Sequence, residues 1–181
     1  MGRAWGRGAI GGLVLFVVLG SLVGCAQRPH DGVLWRQVAA FTDPLGKALN
    51  DAIGTERSAF VTSLNDDSGT LPGRYWSGVS NPANLSLDSG GLVLFDSQDN
   101  SSAVMFDVLI SSGPRNPDAD PLADSSAYSG PSAVYTCFVV TVEFDTQTVT
   151  GWTYDDGKCT PRLVETLGNS ATPYPIGEFA G

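Results

Sequence analysis

The hydrophobic period of this 181-residue chain changes once, near residue 70, and that change constrains the fold more than any motif does. From Leu34 onward apolar residues recur in steps of three and four, at Val38, Phe41, Leu45, Ala48, Leu49, Ala52, Ile53, Phe60 and Leu64. Such steps place them on one stripe of a helix. Pro44 lacks an amide hydrogen and its ring crowds the preceding turn, so the stripe divides into a short helix over 33–42 and a longer one over 44–64. Asp43 then serves as N-cap, with Pro44 at the first helical position. The polar cluster Asn65-Asp66-Asp67-Ser68-Gly69 ends the pattern. Beyond it the period falls to two, and Gly, Pro, Ser, Asn and Asp punctuate short apolar runs. Helices first and strands afterwards predict an α+β domain: amphipathic helices packed on an antiparallel sheet of about four to six strands.

Residues 1–25 read MGRAWGRGAIGGLVLFVVLGSLVGC: Arg3 and Arg7 stand ahead of an uncharged apolar run that ends in small residues before Cys25. Basic residues, apolar run and small residues in that order make a secretory signal. Gly8 to Gln27 is also uncharged over 20 residues, about the length of a membrane-spanning helix. The glycines at 8, 11, 12 and 20 and the terminal cysteine favour a processed signal instead. The last four residues, Leu22-Val23-Gly24-Cys25, resemble the lipobox of bacterial lipoproteins. That resemblance implies cleavage before Cys25, attachment of diacylglycerol and acyl chains such as palmitate to Cys25, and a domain held on the extracytoplasmic face of the cell membrane. The expected organisation is a signal peptide over 1–24, a lipidated tether over 25–32, one α+β domain over 33–168 and a loosely ordered tail over 169–181. Cleavage removes 24 residues to leave 157 and takes Arg3 and Arg7 with it, moving the formal net charge from -9 to -11. Anionic headgroups repel such a surface, so the acyl chains must hold it at the membrane.

An extracytoplasmic site is oxidising, and with Cys25 taken by lipid the remaining Cys137 and Cys159 form an even pair, expected as a disulfide. The strands expected around them are 74–79, 92–95, 103–111 and 133–144, with a last one near 162–165. The run 133–144 has the strongest alternation, Val134, Phe138, Val140, Val142 and Phe144 facing one way. A tight turn at Asp145-Thr146 and another at Asp156-Gly157 would make a three-strand meander. That register sets Cys137 and Cys159 two strand spacings apart, nearly 10 Å and beyond the ~7 Å limit of a disulfide. Bridge and meander exclude each other. The compartment argument keeps the bridge, and the chain after residue 155 must then cross over the strand end or place its last strand elsewhere.

With 19 acidic against 10 basic residues there is no basic face for phosphates, so nucleic-acid binding is not expected. The single His30 removes the usual Ser-His and Cys-His pairings, and no G-x-S-x-G, H-E-x-x-H or glycine-rich phosphate loop occurs. No catalytic residues, cofactor or metal site are assigned. Asp118, Asp120 and Asp124 alternate in the proline-rich stretch 113–131, but Pro121 sits among them and neither turn glycine nor closing Glu follows, so a solvated loop is the reading. Asp107 and Glu143 are the carboxylates that fall within strands, at outward polar positions. Tyr75, Trp76, Tyr128, Trp152 and Tyr154 are candidates for an aromatic platform, with sheet packing as the ordinary alternative. Trp35 reads as a core or anchoring residue.

The element order resembles that of cystatin-like or nuclear-transport-factor-like rolls, a likeness of fold that implies nothing about function. The expected function is a membrane-anchored, non-enzymatic binding or accessory lipoprotein of the cell envelope, whose partner is an envelope protein or a small ligand. A carboxylate-based cell-wall glycan hydrolase is the alternative.

Overall fold

The computed structural model describes residues 32–65, 71–116, 118 and 128–179, and Cys25 with its lipobox lies outside them. The fold is α+β, built on one six-stranded mixed sheet. Its strands are β1 (Arg74–Trp76), β2 (Gly91–Asp99), β3 (Ala103–Pro114), β4 (Ala133–Asp145), β5 (Thr148–Asp156) and β6 (Ala171–Pro173). The strands β2 to β5 pair antiparallel in chain order, while β1 lies parallel to β2 and β6 parallel to the start of β4. The expectation of a purely antiparallel sheet is corrected by these two short strands: each enters from a long connection, so hairpin geometry does not fix its direction.

One helix, α1 (Gly32–Asp51), runs unbroken through Pro44. The proline was expected to end a helix at residue 42. Instead Leu34, Val38, Leu45, Ala48 and Leu49, on both sides of it, are buried on the sheet, and that continuous burial outweighs the ~3 kcal/mol a mid-helix proline costs. The break comes later, at Gly54, whose φ of 88° favours glycine. There the chain turns extended and borders β5: Gly54 N–H donates to Val149 O (2.9 Å), Val149 N–H to Thr55 O (3.0 Å) and Arg57 N–H to Gln147 O (2.7 Å). The second helix, α2 (Arg57–Asn65), then buries Phe60 and Leu64, with Phe60 edge-on to Phe144 at 6.0 Å.

The opposite face carries a second cluster: Trp76, Val93, Phe95, Leu109, Tyr135 and Cys137 lie beneath Leu87, Leu163 and Leu167. The cover is made of short pieces, 3-10 turns at Pro82–Leu85, Leu87–Ser89 and Glu165–Leu167 and a four-residue helix α3 (Pro161–Val164). The strand expected near 162–165 is this helix. Pro161 at its first turn pre-sets helical φ and has no amide to waste there.

Cys137 and Cys159 are disulfide-bonded with Cα atoms 5.3 Å apart. The meander fails in the way the bridge requires. Asp145 faces Thr148, so the turn is one residue later than expected, and a bulge after Glu143 shifts the register until Phe138 faces Asp156. Gly157 N–H donates to Cys137 O (3.0 Å), and the chain then crosses beneath the sheet. A Cβ at Gly157 would sit 2.9 Å from the Phe138 backbone, so the crossing needs a glycine. The segment 171–179, expected as a loose tail, is docked: β6 pairs with β4, Tyr174 N–H donates to Tyr135 O (2.9 Å), and Ile176 and Phe179 are buried.

Candidate functional site

α1 does not lie equally close to every strand: a cleft opens between it and the β4–β5 edge. The cleft has a volume of about 280 Å³. From α1 come Trp35, Thr42, Asp43, Leu45, Gly46 and Leu49; from the sheet Phe138, Trp152 and Tyr154; from the docked C-terminal segment Ile176 and Phe179.

Each aromatic is held by a separate contact. The Trp152 indole N–H donates to Asn50 Oδ1 on α1 (3.0 Å), and its ring lies 6.2 Å from that of Tyr154 at 29°. These two residues alternate on β5 and so share one face, with the Phe138 ring 6.1 Å from Tyr154 and edge-on to it. Across the cleft the Trp35 indole N–H donates to Phe179 O (3.0 Å), which ties the first turns of α1 to the C-terminal segment. Asp156 Oδ1 accepts from Ile176 N–H (3.1 Å), fixing the segment's path over the strand end. Tyr154 is 41% exposed, so the platform opens to solvent on one side.

Gly46 is part of the cleft lining. It stands inside α1, where glycine costs about 0.5–1 kcal/mol relative to alanine, and a Cβ placed on it would meet nothing within 4 Å. Neither packing nor backbone conformation requires glycine there.

The other aromatic candidates do not join this platform. Tyr75 hydroxyl bonds Ser97 Oγ (2.9 Å). Trp76 is 4% exposed in the opposite cluster, with its indole N–H on Ser80 O (3.0 Å) and the Arg162 guanidinium 5.1 Å from its ring. Tyr128 donates to Pro131 O (2.8 Å) beneath the Arg115 guanidinium. Trp35, expected as a core or anchoring residue, packs against the core and ties down Phe179, and it also forms a wall of the cleft. Ile176 and Phe179 were hidden from sequence reasoning because they reach the site through pairing of distant segments.

Asp107 and Glu143 both lie on the sheet face away from α1, but Asp107 faces Val139 and Glu143 faces Ala103. Four residues at ~3.3 Å separate them along the strands, about 13 Å, well beyond the ~5–9.5 Å that paired glycosidase carboxylates span. Burial, with the neighbouring Asp96 carboxylate adding to it, raises the Asp107 pKa above the ordinary Asp value. Asp118 is exposed, whereas Asp120 and Asp124 lie outside the described residues. Among the described residues no group of His, Cys, Asp or Glu is placed to hold a metal ion, and no helix is long and apolar enough to cross a membrane. No protein-family model, curated protein or solved structure matches the chain.

Proposed function

We propose that the protein is a lipid-anchored, extracytoplasmic binding lipoprotein of the cell envelope, without enzymatic activity, whose ligand seats in the cleft between α1 and β5. The observation that carries this reading is the open space at Gly46 in a cleft that Trp152 and Tyr154 also line. A helix optimised only for stability would carry alanine or a larger residue there. Binding sites combine a mostly apolar concave surface with a few polar groups, and Thr42 and Asp43 are the polar groups at this rim. The layer order, helix over curved sheet, is that of the cystatin-like and nuclear-transport-factor-like rolls and belongs to the same reading. Asp107 and Glu143, the carboxylates within the expected strands, lie too far apart to act as a pair and so lend the hydrolase alternative no support.

The anchor rests on the signal grammar and Cys25. In cells fed a labelled fatty acid the mature chain takes up label and pellets with membranes, and Cys25→Ser abolishes both; label retained in Cys25→Ser overturns the anchor. The cleft is tested by thermal melting against a panel of small envelope components. A ligand that binds only the folded state raises the melt with its concentration. Gly46→Leu fills the space without strain, keeps the fold and removes that response; an unchanged response in Gly46→Leu places the ligand elsewhere.

A further inference from the structure

The cleft has a charge character as well as a shape. Among the described residues that line it, Asp43 is the only one with a formal charge, and no Lys, Arg or His takes part. The nearest lysine one turn along α1, Lys47, is paired with Asp51, and among the described residues no cation is paired with Asp43. The aromatic rings present electron-rich faces, and a ring face attracts a cation most when tryptophan supplies it. The chain as a whole is acidic, with a net charge of -9. Three features thus agree: aromatic rings, a rim carboxylate and an acidic chain.

On the reading that the cleft is a ligand seat, we infer that its ligand is a small organic cation, an alkylated ammonium compound whose methyl groups fill the space at Gly46 while its charge lies against Trp152, Tyr154 and Asp43. The volume of about 280 Å³ suits one such group and is too small for a lipid body. A phospholipid headgroup carries its phosphate a few bonds from its ammonium, and that phosphate would meet the Asp43 carboxylate; the source is therefore a free ammonium compound.

Choline and 3,3-dimethylbutan-1-ol have the same shape and differ in charge, which makes them the discriminating pair. The full chain is reconstituted in phosphatidylglycerol nanodiscs, which contain no ammonium group, and binding is followed by tryptophan fluorescence. Choline binds about tenfold more tightly than the alcohol at low salt, the scale of one desolvated cation–π contact. Trp152→Leu removes most of that preference, and Asp43→Asn reduces choline affinity about threefold without changing the alcohol. Added salt narrows the Asp43 effect because that carboxylate is exposed. Equal affinities for the two compounds, or a cation preference intact in Trp152→Leu, overturn the ammonium assignment while leaving a ligand seat for neutral molecules. Glycerophosphocholine binding as tightly as choline overturns the free-compound source. Binding of neither compound also overturns the assignment, and the cleft then stands or falls on the Gly46→Leu melt.

Discussion

The two faces of the sheet are covered by different means. On one, α1 lays a single 20-residue rod across β3, β4 and β5 and buries an unbroken stripe. On the other, 3-10 turns and a four-residue helix cover Trp76, Phe95, Leu109 and Tyr135, with the disulfide binding cover to sheet. The cleft lies on the rod's side, between α1 and the β4–β5 edge. Short segments can follow the sheet piece by piece, but each has little helical cooperativity of its own. A covalent link compensates for that.

The largest test strikes the rod face. Phe106→Ala, beneath α1 and 1% exposed, is expected to cost about 3–5 kcal/mol in denaturant unfolding; a loss under 1 kcal/mol would show that α1 is not the principal cover. Reduction of the Cys137–Cys159 bond, whose loop spans 22 residues, comes next, at about 3 kcal/mol, or a fall of roughly 6–12 °C in the melt. Hydrogen exchange sharpens the comparison: reduction should expose the amides of 157–167 while those of α1 keep their protection, and equal loosening of both would erase the distinction. On the rod face Thr136 Oγ1 is buried without a hydrogen-bond partner. Thr136→Val keeps the shape, removes the orphaned hydroxyl and should stabilise by about 1 kcal/mol.

The smallest effect belongs to Asp107 on the disulfide face. Its folded pKa is raised, so the native state holds the proton more tightly than the unfolded one. Stability from this group is therefore fully present below the unfolded Asp value and lost as pH rises through the folded value. Asp107→Asn should raise the melt by roughly 1–2 °C at neutral pH and leave it unchanged below about pH 4. A gain that persists in acid would mean the effect is not one of charge.

The sequence shows the layers more readily than the site. Leu34, Val38, Leu45 and Leu49 are buried because a helical stripe has only one way to face a sheet. Val134, Phe138, Val140 and Val142 are buried by the same logic at period two. Pro44 misleads because a local penalty was weighed without the tertiary burial on either side of it. The short run after Pro161 misleads because four residues carry no period. β6 was invisible: it contains Pro173 and pairs over three residues, through a parallel contact that local pattern does not encode. The disulfide was legible as a pair but not as a path, since the bulge after Glu143 that brings Gly157 level with Cys137 has no residue signature. The cleft depends on all of these together, which is why Trp152 and Tyr154 could be nominated and Phe179 could not.

The bond from Trp35 to Phe179 joins residues 144 apart in the chain. A contact of such span forms late, because nearly the whole described fold must be in place before its two ends can meet. The cleft is therefore expected to be completed only after the sheet that carries its other wall has formed. The sheet and the disulfide can then form before the cleft is complete, and a truncation before Ile176 should leave a folded scaffold that lacks the cleft's C-terminal wall. If the proposed ligand seat is real, binding would require this long-range link to be closed.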